Sequence, residues 1–458
     1  MFLLYYQFSL IDADWQQRIR PALAASDEVV MLESCCSASQ RHTDDNRFSI
    51  YALQPLHLIE CIDGQVACNT MVLPVSLSDH PFEALQYLLK QFPRQPASEL
   101  PFEGGLMGYL GYDLGRSLER LPEIAEDDIH VPDMMMGFYT VAMVIDHVEQ
   151  TLNIVGLEGY QLQADDLKER IENSSPVPSV PFKLQNHWQS NMTPEQYQQK
   201  FDRVQHYIRS GDCYQVNLAQ RWQASFKGDS WQAYNRLFEE NSAPFSGYIR
   251  FRDKAVLSVS PERFIRCKNG RCQTKPIKGT RPRASNQRQD EQQKLALGNS
   301  AKDRAENVMI VDLLRNDLSK VCQPHSVQVS SLFQIESFPA VHHLVSTIEA
   351  QLEPGKQPLD LLKAAFPGGS ITGTPKIRAM EIIEELEPHR RSVYCGSLVY
   401  IGCNASMDSN IAIRTLICDQ DQIYCWAGGG LVADSSVDEE YEETLHKLNK
   451  ILPLLQPE

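Results

Sequence analysis

No apolar run in the 458-residue sequence approaches the roughly 20 residues needed to cross a bilayer as a helix. The opening, "MFLLYYQFSLIDADW", lacks a basic leading region and a small-residue cleavage site, so it reads as a first strand, not a signal peptide. Basic residues do not dominate: 43 Lys and Arg stand against 59 Asp and Glu, a net charge of −16. That balance argues against non-specific binding to nucleic acid or anionic membranes, and leaves room for a local basic site for a small anion. CxxC pairs are absent, and the twelve cysteines are scattered. Buried free thiols in a reducing cytosol are expected, and the adjacent Cys35 and Cys36 cannot easily bridge to each other. Neither a P-loop nor a dinucleotide fingerprint occurs, which excludes ATP and NAD sites of those types. There is no repeat of fixed period and no regular alternation of strand and helix.

What is present is an ordinary soluble composition, 42% hydrophobic and 22% charged. The length calls for two or three domains, or one large interwoven unit. Residues 1–173 alternate short apolar runs with turn signals ("FSIYALQPLHLIECIDG", "FYTVAMVIDHVEQTLNIVGLEG"), the pattern of strands and hairpins. Helices are expected at "HPFEALQYLLKQF", behind Asp79 as a cap, and at "ADDLKERIENS". Residues 174–190, with three prolines and several serines, read as a linker. Residues 191–450 then form the second region. It opens with a helix carrying Thr193 as N-cap, Pro194 in its first position and Gly211 at its stop. A long helix is expected over 300–318 and a last one over 438–452. Abundant strands and helices without βαβ order imply an α+β fold with large antiparallel sheets.

Several patterns carry chemistry. Asp303 and Glu306 share one helix face, as do Glu440, Glu443 and Lys447. Two such faces opposed would make an oxygen site for Mg²⁺; a solvated acidic face is the alternative. In "FPGGSITGTPKIRAM", Thr374 can cap a helix starting at Pro375, and the glycines free backbone N–H groups for an anion. Gly428, Gly429 and Gly430 allow close approach of a ligand. Tight-turn chemistry is the alternative for both glycine motifs. Arg414, inside an apolar strand, needs a partner: a substrate carboxylate or a structural salt bridge. His342 and His343 point in opposite directions if extended, so only one can face a site.

The segments "SPERF" (260–264), "PIKGTRPR" (276–283), "SAKDRAENVMIVDLLRNDL" (300–318), "FPAVHHLVSTI" (338–348), "FPGGSITGTPKIRAMEII" (366–383), "IAIRTL" (411–416) and "AGGGLVADS" (427–435) occur in the order found in the chorismate-utilising enzymes. With "LPFEGGLMGYLGYDLGR" (100–116), the resemblance covers nearly the whole chain. Within the family, "PIKGT" and "GDCYQVNLAQR" look like the aminodeoxychorismate synthase branch. Anthranilate synthases usually carry alanine where Lys278 stands. Isochorismate and salicylate synthases place a water-activating lysine where this chain has Gln215.

The resemblance implies a large antiparallel β-sandwich with helices outside and two interwoven subdomains. It implies a folate-pathway enzyme of transaminase class that aminates chorismate on the way to p-aminobenzoate. Lys278 would attack the ring as nucleophile, or act only as a carboxylate-pairing cation. Glu262 would be the general acid and base. Glu306 and Glu443 would hold Mg²⁺, with Asp303 and Glu440 acting directly or through water. Arg414, Gly428, Gly429, Gly430, Thr372 and Lys447 would bind substrate, and Thr280 and His343 would line the ring pocket. Ammonia would come from a glutamine amidotransferase subunit, because no G-x-C-x-G elbow followed by His-x-Glu is present here. Finally, Leu32, Glu33, Ser34, Pro244 and Phe245 resemble the walls of a tryptophan pocket; plain packing between sheets is the alternative.

Overall fold

The computed structural model describes residues 2–10, 15–34, 45–94, 96, 98–174, 180–241, 243–338 and 341–456. Cys35, Cys36 and residues 175–179 of the proline-rich segment lie outside the described residues. Two sheets of thirteen and eleven strands make up the core, and every pair of named strands among the described residues is antiparallel. The architecture is the expected α+β sandwich.

Each half of the chain supplies strands to both sheets. In the larger sheet, Glu28–Glu33 pairs with Phe245–Phe251, setting Leu32 opposite Gly247. In the smaller, Gly105–Leu110 pairs with Ser397–Gly402, setting Gly108 opposite Val399. Side-chain alternation then sorts neighbours to opposite faces. Val30, Ile50 and Ala52 join Leu58, Met107 and Val399 in one apolar cluster, while Val29, Met31 and Tyr51 join Trp231, Leu237 and Leu167 in another under the outer helices. Both faces of these strands are buried, so "EVVMLE" and "FSIYAL" are nearly continuous apolar runs.

Local chemistry sets several boundaries. Helix Pro194–Ser210 starts with a reciprocal capping box between Thr193 and Gln196, and stops at Gly211 with φ +82°. Helix Pro81–Lys90 begins one residue later than the Asp79 cap requires: His80 is its N-cap residue, with no side-chain bond. Ser300 caps helix Ala301–Ser319, its Oγ accepting from the Asp303 N–H. The last long helix is Val437–Leu448, and a separate turn follows at Leu452–Leu455. Beyond Pro181, short strands Lys183–Leu184 and Gln189–Ser190 pair with Gln215–Lys227.

Candidate active site

Strand Ile277–Pro282 pairs with Val341–Gln351, placing Ile277 opposite Val345 and Thr280 opposite His343, with a bulge between those pairs. Gly279, at φ +80°, forms part of the bulge; a Cβ there would stand 2.8 Å from Asp303 Cγ. The glycine thus lets the strand press against helix Ala301–Ser319, and a bulge re-aims the side chain beside it. That side chain is Lys278, half-buried, whose Nζ donates to the Ser370 carbonyl at 3.1 Å.

Ser370 lies in a short 3₁₀ turn, Gly369–Ile371. A Cβ on Gly369 would meet Leu313 Cδ2 at 2.4 Å, and one on Gly368 would meet Ile411 Cδ1 at 2.7 Å. The glycine pair therefore serves close packing in this structure. Arg391, buried beside Glu387, donates to the carbonyls of Ile371 and Asn217 at 2.9 and 2.7 Å and ties the turn to strand Gln215–Lys227. From the turn, Ser370 Oγ donates to Glu262 Oε1 at 3.0 Å. Burial pushes the Glu262 carboxyl up to about 7, against the opposing pull of Lys278, the Ser370 hydroxyl, the Ile277 N–H and Lys447.

Helices Ala301–Ser319 and Val437–Leu448 face each other across the same space. Lys302 Nζ reaches from the first to Glu440 Oε1 on the second, at 3.2 Å. Glu440 also accepts from Ser435 Oγ at 2.7 Å, and Glu443 pairs with Lys447 at 2.7 Å. Asp303 accepts from Arg281 at 3.0 Å. Glu306 has no ion pair among the described residues. Burial raises its carboxyl, Glu440 and Asp303 add like charge, and Lys278 and Lys302 offset part of this. Burial also acts to raise Glu443, but Lys447, Lys302 and Lys278 outweigh it and hold that carboxyl low. Four carboxylates form a hard donor set suited to Mg²⁺, and the crowding at Glu306 is what a divalent cation relieves. As the side chains stand, no three ligating groups among the described residues gather tightly enough to hold a metal.

Arg414 does not lie within a strand. It precedes strand Thr415–Asp419, at φ +50°, and its guanidinium has no ion pair or hydrogen bond among the described residues. The salt-bridge alternative is therefore not what the structure holds. Burial lowers the Arg414 pKa. His343 is pushed down to about 3, by burial first and then by the charge of Arg414. This neutral imidazole shares a 2.9 Å hydrogen bond with Thr280 Oγ1. His342 points the other way, fully buried between Ser337 Oγ at 2.8 Å and Asp290 at 3.0 Å, a structural role.

The Thr372 hydroxyl is buried and donates to the Gly368 and Gly369 carbonyls in its own turn, so the carboxylate contact expected of this loop would fall to its backbone N–H groups. One expectation for the loops needs correction. Thr374 does not cap the next helix: Lys376–Leu386 has Pro375 as its N-cap residue, without a side-chain bond, and Thr374 pairs with Gln215 in a short strand. The glycine run belongs to strand Gln422–Leu431. Gly428, Gly429 and Gly430 pair with Ala219, Leu218 and Asn217, and pairing with the strand on the other side, Thr415–Asp419, ends at Cys425. A Cβ on Gly429 would lie 2.8 Å from Glu440 Oε2, and Lys447 Nζ donates to the Gly428 carbonyl at 2.7 Å.

Away from this centre, Leu32, Glu33, Ser34, Pro244 and Phe245 all line one cavity at the junction of the two halves. Glu33 is saturated there: it accepts from Arg20 at 2.6 and 2.8 Å and from Tyr51 and Tyr234, each at 2.7 Å. The site residues that sequence reasoning passed over are Ser370, Lys302 and Arg391. Ser370 and Lys302 sat inside quoted motifs, but their residue types carry no signal without the fold.

The family profile described as chorismate binding enzyme matches residues 33–453. Aminodeoxychorismate synthase component 1 of Escherichia coli (strain K12) is 49% identical over 416 residues, 90% of each chain. Its namesake from Salmonella typhimurium (strain LT2) is 50% identical over 415 residues, again 90% of each. Among solved structures, anthranilate synthase component I from Streptococcus pneumoniae TIGR4 superposes with a TM-score of 0.79 at 31% identity, covering 91% of this chain and 95% of the other. With a profile match over most of its length and relatives near half identity, this chain belongs to the chorismate binding enzyme family.

Proposed function

We propose that the chain is the large subunit of an aminodeoxychorismate synthase, converting chorismate and ammonia to 4-amino-4-deoxychorismate, formally a transaminase-class step toward p-aminobenzoate. The carrying observation is the setting of Lys278, whose charge acts on Glu262, Glu306 and Glu443 alike. The names and identities of the relatives support the same reading.

Chorismate carries two carboxylates. The free guanidinium of Arg414 is the counter-charge for one. Glu306 and Glu443, with Asp303 and Glu440, would hold Mg²⁺ against the other. When bound, the ion supplies positive charge where electrons collect as the C4 hydroxyl departs. The Lys278 amine, neutral when it attacks, forms a bond to C2 while both conjugated ring double bonds shift and the C4–O bond breaks. Glu262 gives its proton to that oxygen, which leaves as water. Ammonia then attacks C4, both double bonds shift back, the C2–N bond to Lys278 breaks, and the ionised Glu262 takes a proton from the new C4 ammonium. Splitting one displacement into two is covalent catalysis. Ammonia is supplied by a separate glutaminase subunit. The neutral His343 and Thr280 face the ring without adding charge. The cavity lined by Leu32, Ser34 and Phe245 would take an amino acid, tryptophan by resemblance, whose contacts exclude the committed carboxylate of Glu33.

The test uses purified protein with chorismate, Mg²⁺ and ammonium at mildly alkaline pH, with products separated by chromatography. Wild type should yield 4-amino-4-deoxychorismate, and Lys278→Ala should lose at least a hundredfold in rate, in the range of an acid–base or nucleophilic group. Release of anthranilate and pyruvate by wild type would place the chain in the other branch.

A further inference from the structure

We propose that Ser370 is a positioning residue that couples the Lys278 amine to the Glu262 carboxyl, its backbone carbonyl holding one and its hydroxyl the other. The inference rests on the reading of Lys278 and Glu262 given above.

Lys278 Nζ donates to Ser370 O at 3.1 Å, and Ser370 Oγ donates to Glu262 Oε1 at 3.0 Å. Ser370 lies 92 residues beyond Lys278 and 108 beyond Glu262 in the sequence, and it touches both. Its own freedom is small. The side chain is buried, Gly369 and Gly368 seat the turn against Leu313 and Ile411, Thr372 Oγ1 closes it onto Gly368, and Arg391 anchors it at Ile371. A serine hydroxyl has one proton to give. Given to Glu262, it pins the carboxyl at Oε1 and so restricts the direction in which the acid proton can be presented.

The division between backbone and side chain makes the role separable. Ser370→Ala removes the bond to Glu262 and keeps the carbonyl that holds Lys278. A donor to a carboxylate favours its ionised form, so losing it raises the carboxyl further. The other groups facing Glu262 are Lys278 from strand Ile277–Pro282, Lys447 from helix Val437–Leu448, the Ile277 N–H and the Cys395 thiol. None of these is altered by the substitution.

The experiment measures kcat/KM for chorismate against pH at constant free ammonia, with Mg²⁺ saturating, for wild type, Ser370→Ala, Ser370→Thr and Glu262→Gln. Glu262 must be protonated to act as acid, so the wild-type profile falls as pH rises past its pKa. In Ser370→Ala this falling limb should move up by about half to one pH unit, the size of one hydrogen bond to a charged group. The maximum should drop about tenfold as placement is lost. Ser370→Thr, which keeps a hydroxyl, should return the limb toward wild type, and Glu262→Gln should abolish it. Thermal melts confirm that each variant is folded. A uniform loss in Ser370→Ala with the limb unmoved would overturn the proposal, as would a limb that Thr fails to restore. Failure of the functional reading would look different: wild type itself would give another product in the same assay.

Discussion

At the scale of the residue, Glu262 shows how a buried carboxyl is held against its own preference. In an unfolded chain its carboxyl titrates near 4.5, whereas burial in the fold pushes it up to about 7. Below pH 4.5 the group is protonated in both states and folding carries no penalty from it. As pH rises through 7, the folded state must ionise a buried carboxyl, and that stability is lost. The difference corresponds to about 3 kcal/mol at most above pH 8. Glu262→Gln should therefore melt several degrees higher than wild type at pH 8, and the gap should close as pH approaches 4.5. The same variant should lose its acid–base activity, so stability and rate move in opposite directions. Melting curves for both proteins at four pH values check this; equal melting temperatures across the range would mean that Glu262 is solvated more than its 6% exposure indicates.

At the scale of the element, strand Gln422–Leu431 shows why three successive glycines stand where a strand would favour larger residues. A Cβ at Gly428 would lie 2.6 Å from the Leu218 carbonyl oxygen and 2.8 Å from Ala219 Cα, both rigid backbone. At Gly429 the nearest atom is Glu440 Oε2, the end of a side chain on another helix. Gly428→Ala should therefore cost about 2 kcal/mol or more of stability. Gly429→Ala should fold nearly as well but displace Glu440 and, under the proposed function, raise the Mg²⁺ concentration needed for activity. Melting curves with a Mg²⁺ titration separate the two; equal destabilisation with unchanged Mg²⁺ dependence would reduce the run to packing. The sequence made such elements legible unevenly. The N-cap at Thr193 and the strands with apolar runs were readable, because their signals are local. Helix Gln287–Asn299 was not, because its only buried residues are Asp290 and Leu297 and it has no apolar stripe. The site was legible as residue types: a lysine, paired carboxylates, an arginine. Its arrangement was not. Ser370 gains its place only when a turn meets a bulged strand, and Arg414 was misplaced because an apolar neighbourhood resembles a strand interior.

At the scale of the whole molecule, the two halves are joined by sheet pairing, with Glu28–Glu33 against Phe245–Phe251 and Gly105–Leu110 against Ser397–Gly402. Interweaving was an expectation of the resemblance, but pairings more than two hundred residues apart leave no periodicity in the sequence to read. The cavity between the halves lies at this junction. Its walls come from the front of the chain, at Leu32, Phe48 and Pro101, and from the rear, at Phe245, Leu398 and Met407. A ligand there touches both sheets and both halves, so it binds the native state and not the unfolded chain. Such binding stabilises by about 2.7 kcal/mol when the ligand is at a hundred times its dissociation constant. Adding tryptophan should therefore raise the melting temperature of the whole protein in a single transition, while phenylalanine or leucine should do less. The rise should persist in Lys278→Ala, because the cavity is separate from the catalytic centre. A melting temperature indifferent to tryptophan, in protein first unfolded and refolded to strip any carried ligand, would leave the cavity as plain packing space. A rise in two separate transitions would instead show that the halves melt independently and that pairing across the junction is weaker than its register implies.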